Sequence, residues 1–437
     1  MKPVETRQLL EAMAHLEIED LNCATIRQIA ALAGMLEDVS GEQFVHLELG
    51  NPGLAAELQG IDAHCKALRS GISNQYPNAA GIPQLKKAGS RFLKAFLDID
   101  VPEHGIVPTV GSMQGSFTLM LLLSQRLAGK DTMLFIDPGF PAQHHQAKIL
   151  GLKSVSFDLY EYRGEKLRDK LESILSAGNI TGMIYSNPNN PAWTNLTQEE
   201  LRIIGEMATK YDAIVLEDLA YMGMDFRTDL SVPFQPPYIP TVAKYTDNYV
   251  LLVSASKIFS YAGERIAMVC MSPEVCNRHY EFFAKFYDMP SFGDAYVFGV
   301  LYCASSGVSH SAQYAMAAML NAAADGELNF VGHCREYGRR AHRAKEIFKR
   351  HGFHLAYAHD GEHPISDGFF FTIGYDDIDG EPLARELLRY GIATIPLKST
   401  GSDQKGVRVT VSRLCDDPTF DALDQRLAAF DADHKTK

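Results

Sequence analysis

Tryptophan occurs once in this chain of 437 residues, and no two of its seven cysteines (23, 65, 270, 276, 303, 334 and 415) stand three apart. An odd number of scattered thiols with no C-x-x-C pair excludes a disulfide framework or a zinc site, and the cysteines read as reduced core residues. Basic residues are in the minority, 41 Lys and Arg against 54 Asp and Glu, for a net charge of −13. Nucleic-acid surfaces need clustered Lys and Arg, so that class is disfavoured, although an acidic exterior still allows a local cationic pocket. No apolar run reaches the roughly 20 residues that cross a bilayer. The polar start Met1-Lys2-Pro3-Val4-Glu5-Thr6-Arg7 is not a signal peptide. A cytoplasmic protein with no membrane partner is expected. Internal repeats and low-complexity tracts are lacking too, and the length suits one large domain and a smaller one.

What is present is an alternation of short apolar strands with helices. Residues from about Gln8 to Met35 carry a helical pattern, and Phe44 to Leu49 reads as a strand closed by the turn Gly50-Asn51-Pro52-Gly53. A largely apolar helix is predicted from Phe117 to Leu127, a strand from Thr132 to Ile136, and a helix from the break at Asp137–Pro141 to Leu150. Strands Gly182–Tyr185 and Ala213–Leu216 follow. Between them Thr197-Gln198-Glu199-Glu200 opens a helix as a capping box. This order predicts an α/β fold: a mainly parallel sheet between helices, with ligands beyond the carboxyl ends of its strands. From about residue 310 the character changes to long helices, with a basic run Arg335–Arg340 read as a solvated face. Then come the strands Phe369–Ile373 and Val407–Val411, which make a smaller α+β domain. The expected division is an N-terminal segment joining the small domain (1–50), a large cofactor domain (51–320) and a small C-terminal domain (321–437).

The most informative stretch is Ser254-Ala255-Ser256-Lys257-Ile258-Phe259-Ser260-Tyr261-Ala262-Gly263-Glu264-Arg265, directly after the buried-strand pattern Tyr249-Val250-Leu251-Leu252-Val253. A lysine just past a strand end can be buried, lose its proton and become a nucleophile. Two hydroxyls before it and an arginine after it suit a phosphate group. A nucleophilic lysine beside a phosphate pocket is what pyridoxal phosphate requires. A solvated lysine after a strand is the plain alternative.

Together with Leu216-Glu217-Asp218-Leu219-Ala220-Tyr221, Asn187-Pro188-Asn189-Asn190-Pro191 and Gly111-Ser112-Met113-Gln114-Gly115, this stretch resembles the fold-type-I pyridoxal-phosphate enzymes, specifically the class I/II, aspartate-aminotransferase-like group. The landmarks run in the family's order from Gly50 to Arg408. The resemblance implies that Lys257 holds pyridoxal 5′-phosphate as a Schiff base and serves as general base. It implies that Asp218 pairs with the pyridine nitrogen, and that Tyr221 and Asn190 donate to the ring's phenolic oxygen. Phe140 stands where the family stacks an aromatic on the ring. Ser112, Met113, Gln114, Ser254, Ser256 and Arg265 correspond to the phosphate cup. Tyr76 matches a tyrosine reaching the phosphate of a neighbouring subunit, which implies a homodimer with a shared site. Gly50, Asn190 and Arg408 match substrate contacts, Arg408 for the α-carboxylate.

Each match has an ordinary alternative, such as a core phenylalanine, a plain turn or a strand arginine facing solvent; the ordered set is what is specific. The chain departs from the family at Ala192-Trp193, where Thr-Gly is usual, and at Gly115, where alanine is usual. No metal site is expected, and adjacent His144 and His145 do not share a helical face. The implied activity is transfer of an amino group between an amino acid and a 2-oxo acid, aspartate-type or neutral. Arg69, Lys398 and Arg413 are candidates for binding a distal carboxylate. A β-lyase on the same fold is the alternative. A regulator fused to such a domain is a remoter one: Thr25–Gly34 superficially resembles part of a DNA-reading helix pair, but residues 1–40 are net acidic.

Overall fold

The apolar strand Tyr249–Ser254 lies inside a seven-stranded sheet in the computed structural model, which describes residues 3–435. Met1 and Lys2 of the polar start fall outside that range. From one edge to the other the strands are Ile106–Thr109, Ala267–Met271, Tyr249–Ser254, Ile214–Asp218, Ile180–Ser186, Thr132–Asp137 and Lys153–Asp158. All neighbouring pairs are parallel except those made by Ala267–Met271, which runs against both of its neighbours. Helices cover both faces, so the central strands are buried along their whole length and read as unbroken apolar runs.

In the buried strands, charged side chains appear only toward the carboxyl ends. Asp137, Asp158, Ser186, Asp218 and Ser254 are each the last residue of a strand, which collects them along one carboxyl edge. The reversed strand adds to this edge from its beginning. Because Ala267 sits opposite both Thr109 and Ser254, the preceding Arg265 is delivered to the same edge.

The second layer is a four-stranded antiparallel sheet in the order Ile395–Pro396, Val407–Thr410, Phe370–Gly374, His354–Leu355. The N-terminal part of the chain returns to it: Val45–His46 pairs in parallel with Ile392–Ala393, and the Thr410 N–H donates to Leu47 O at 2.9 Å. Helix Gln198–Lys210 begins as predicted, with Thr197 and Glu200 in a reciprocal capping box, a device worth about 1 kcal/mol.

Several boundaries differ from the sequence reading. The expected helix from Gln8 to Met35 is two helices, Thr6–His15 and Ile26–Ser40. The turn at Asp20–Cys23 breaks the pattern, and the Thr25 capping box restarts it. The strand expected over Phe44–Leu49 shrinks to Val45–His46, because its partner is equally short. The helix expected from Phe117 starts at Gly111 and ends at Leu123; its first turn is polar because it faces the site, which hides it from an apolar count. Arg340 of the supposedly solvated run is buried and donates to Ser412 O at 2.7 Å. Of the cysteines read as core residues, only Cys270, Cys276 and Cys334 are buried; the other four are exposed free thiols.

Candidate active site

Strand Tyr249–Ser254 gives way at once to the one-turn helix Ala255–Ile258, whose start is capped by Ser254 Oγ accepting from the Ser256 N–H at 3.1 Å. That turn aims Lys257 inward. Its Nζ donates to the Gly50 carbonyl and lies 5.3 Å from the centre of the Phe369 ring. Burial, reinforced by the Arg408 and Arg265 cations, pushes the amine down from its ordinary 10.5 to about 7. Near neutral pH a large share of it is therefore the free base, the nucleophilic form.

On the neighbouring parallel strand, Asp218 is buried and accepts from Gln143 Nε2 at 2.9 Å and from the Ala220 N–H at 3.2 Å. Burial raises its carboxyl to about 6, and the two donors oppose the shift only in part. Such a carboxylate is short of a cation. Tyr221 is buried between Trp193, Phe369 and Phe370, with ring centres 5.6, 5.4 and 5.2 Å away, and burial pushes its hydroxyl well up. Phe140, half-buried at the start of helix Pro141–Ile149, faces the same space as Gly50.

Arg408, on one of the two inner strands of the small sheet, is 1% exposed and makes no salt bridge to a carboxylate among the described residues. Its Nη1 donates to Asn190 Oδ1 at 3.3 Å and its Nη2 to the Glu48 carbonyl, while its guanidinium lies 4.8 Å over Phe370. The Nε–H has no acceptor. Desolvation pulls this group down to about 10, and the buried Glu48 carboxylate, which makes no salt bridge to it, opposes the shift only in part. Asn190, with its carbonyl oxygen engaged by Arg408, keeps its amide N–H groups for another acceptor.

Gly111, Ser112 and Arg265 meet at the start of helix Gly111–Leu123. Gly111 has φ +67°, and the Arg265 guanidinium fills the place a Cβ would need. Ser112 Oγ is buried without a partner. Arg265 Nη1 donates to Ala262 O at 2.9 Å and reaches Ser256 Oγ at 3.5 Å. Gln114 and Met113 belong to this turn through their backbone only. The Gln114 side chain folds back to accept from the Val110 N–H at 2.8 Å, and Met113 is 37% exposed.

Tyr76 is not brought together with these residues: it is 90% exposed. His144 Nε2 bonds Asp137 Oδ1 at 2.9 Å and the ring stacks on Phe135, so it supports the strand end, whereas His145 is exposed. Of the candidate distal cations, Arg413 lines a separate hollow with His46 and Gly53. Neither Arg69 nor Lys398 lines the cavity beside Gly50, but Arg27 does. Sequence reasoning missed Arg27 as a site residue, along with Gln143, Glu48 and Gly368. For Gln143 the only signal was its place in the first turn of the helix after Phe140. Trp193, flagged only as a departure, is fully buried at φ +63°.

The family described as aminotransferase class I and II matches residues 47–427. Aspartate aminotransferase of Pyrococcus horikoshii is 28% identical over 251 residues, 57% of this chain and 60% of that one. Glutamate-pyruvate aminotransferase AlaC of Escherichia coli is 28% identical over 232 residues, 52% of this chain and 54% of that one. The chain thus spans a little over half the length of these curated relatives. The solved structure of Thermus thermophilus aspartate aminotransferase with maleate covers 93% of this chain and 96% of its own at a TM-score of 0.74 and 20% identity, a likeness of fold.

Proposed function

The chain belongs to the class I and II aminotransferases, and from that footing we propose that it moves an amino group from an amino acid to a 2-oxo acid at Lys257, with pyridoxal 5′-phosphate as cofactor. The observation that carries the reading is a buried lysine, lowered to about 7, beside a buried arginine that makes no salt bridge. The donor set fits the cofactor. The orphaned Ser112 Oγ, the Arg265 guanidinium over Gly111, and Ser254 with Ser256 suit its phosphate; Met113 and Gln114 contribute backbone. Asp218, short of a cation, suits the ring nitrogen, and Phe140 offers a stacking face.

Bound there, pyridoxal phosphate supplies an electron sink for the charge left when the substrate Cα loses its proton. Lys257 would hold the cofactor through its Nζ and, as a free amine, would be the base that takes the proton from the substrate Cα. Asp218 would pair with the ring nitrogen and keep it protonated, and Tyr221 and Asn190 would donate to the phenolic oxygen. Arg408 would receive the α-carboxylate with its unused Nε–H, and the Gly50 carbonyl accepts from the Lys257 amine when that amine is free. Trp193, Phe369 and Phe370 exclude water behind Tyr221.

The working unit we propose is a homodimer in which Tyr76 completes the partner's phosphate site; its 90% exposure and the exposed Leu58, Leu68 and Tyr302 support this. Residues 51–320 act as the cofactor domain, and 1–50 move with 321–437, supported by the Val4 N–H donating to Arg389 O at 2.7 Å. No helix among the described residues is long and apolar enough to cross a membrane, and with free thiols throughout we place the enzyme in the cytoplasm.

The test is spectroscopic. Purified holoenzyme should show a near-ultraviolet or visible band that shifts when an amino acid is added without acceptor, with release of the matching 2-oxo acid. Lys257→Ala should abolish both. Ammonia and pyruvate from a cysteine-type substrate without acceptor would overturn transamination in favour of elimination.

A further inference from the structure

A cavity of about 440 Å³ lies where the loop after Tyr221 meets helix Phe330–Arg350 and the segment leading to Phe369, and none of its lining residues belongs to the site above. Three arginines stand in its wall, Arg227 from the loop and Arg335 and Arg339 from one face of the helix. The single carboxylate in the wall, Asp367, is already bonded to Lys345 at 2.9 Å and His342 at 3.3 Å. Between the two helix arginines the wall is bare backbone: a Cβ at Gly338 would strike the Phe226 ring at 2.9 Å.

The three cations are unevenly paired. Glu336 closes Arg339, and Asp225 and Asp360 close Arg227. Arg335 keeps most of its N–H groups unused. Its Nη1 reaches Phe226 O at 3.4 Å, and its ion pair with the exposed Asp229 is a long 3.7 Å. The guanidinium lies 5.7 Å over the Phe226 ring, which holds the fork at the cavity. In the same wall Ser366 is 6% exposed, and its Oγ has no hydrogen-bond partner. A buried hydroxyl left unpaired is a cost to the fold that an incoming acceptor relieves.

We propose that this cavity is a second ligand site, separate from the cofactor site, which binds the phosphate group of a small molecule through the Arg335 fork and the Ser366 hydroxyl. Arg227 and Arg339 add positive charge around it. A tetrahedral phosphate has oxygens enough for an open guanidinium fork and a hydroxyl at once, whereas the fork alone satisfies a carboxylate. Bound there, the phosphate ties the Asp225–Asp229 loop to helix Phe330–Arg350 and to the strand that carries Phe369 and Phe370.

The test is calorimetric titration of the holoenzyme, whose own phosphate cup at Arg265 is already filled, with inorganic phosphate, glycerol 3-phosphate and acetate. Wild type should bind at least one of the two phosphates at about one equivalent per chain, and about tenfold or more tighter than acetate. Which phosphate binds tighter tells a free ion from a phosphate ester. Arg335→Gln should weaken that binding about tenfold or more, the range of one charge-assisted contact, and Ser366→Ala should weaken it severalfold. The cofactor absorbance of each variant verifies that it is folded. Absence of saturable phosphate binding overturns the proposal. So does binding that both variants leave at wild-type strength, as phosphate held at Arg408 would be. Acetate binding as tightly as either phosphate would overturn the ligand class.

Discussion

The indole of Trp193 lies against the backbone of Gly368 so closely that a Cβ at residue 368 would overlap its Cε2, Cζ2 and Nε1 edge. Trp193 also holds φ +63°, a conformation that costs a non-glycine residue about 1–2 kcal/mol. The loop therefore keeps a backbone shape suited to glycine while carrying the chain's sole tryptophan. The strain is offset by complete burial of the indole, edge-on to Tyr221 at 5.6 Å and Phe370 at 6.1 Å. Through these contacts the small-domain strand Phe370–Gly374 is tied to the wall of the candidate site.

Gly368→Ala should be costly only while Trp193 is present. Overpacking a rigid indole costs about 1–3 kcal/mol. Trp193→Gly removes the obstacle, at a price of about 3–5 kcal/mol in lost packing. Urea unfolding of the two single variants and the double variant should show strong coupling, with Gly368→Ala nearly neutral in the Trp193→Gly background. An equal cost in both backgrounds would mean the two residues do not bear on each other.

Gly111→Ala should act on cofactor affinity more than on the fold. The left-handed φ of +67° costs alanine about 1 kcal/mol, and the new methyl would push the Arg265 guanidinium off the helix start. Arg265 ends in a flexible side chain and can yield without unfolding its surroundings. Losing one charged contact to a phosphate weakens binding by roughly 1.5–3 kcal/mol, about tenfold or more. Titration of apo protein with pyridoxal phosphate, followed by absorbance, reads the change. Unaltered affinity would remove Arg265 from the phosphate site.

The parts of this site set by local chemistry were legible in the sequence. Lys257 after an apolar strand, the Asp218 strand end and the Gly111 turn announce themselves because strand ends and helix starts have their own residue preferences. What was hidden depends on long-range return of the chain. Arg265 was legible as a phosphate residue from its place after Lys257, but its route to the edge through the reversed strand Ala267–Met271 was not, and Glu48 meets Arg408 only because Leu47 pairs with Thr410. Arg27 looked like part of an ordinary amphipathic helix, since a side chain's lining a cavity is a statement about everything around it. The Trp193–Gly368 contact joins residues 175 positions apart in number, and no periodicity encodes it.

The buried amine of Lys257 should leave a pH signature in the stability of the cofactor-free protein. In the fold it titrates near 7, whereas an ordinary lysine, as in the unfolded chain, titrates near 10.5. Between these values the unfolded chain binds the extra proton, so stability rises with pH across that window. Below about 7 both states hold the proton, and the folded state bears the full penalty of a buried charge. Lys257→Met removes the penalty while keeping the side chain's length. The variant's advantage in thermal midpoint over apo wild type should therefore be largest near pH 6 and shrink steadily toward pH 10. Asp218 pulls the other way at lower pH: its raised carboxyl, near 6, makes stability fall as pH rises from about 4 to 6, and it does so equally in both proteins. The difference between variant and wild type isolates the lysine. An advantage that stays constant from pH 6 to pH 10 would show that Lys257 keeps its ordinary proton affinity in the fold. It would then lack the free base on which the proposed chemistry depends.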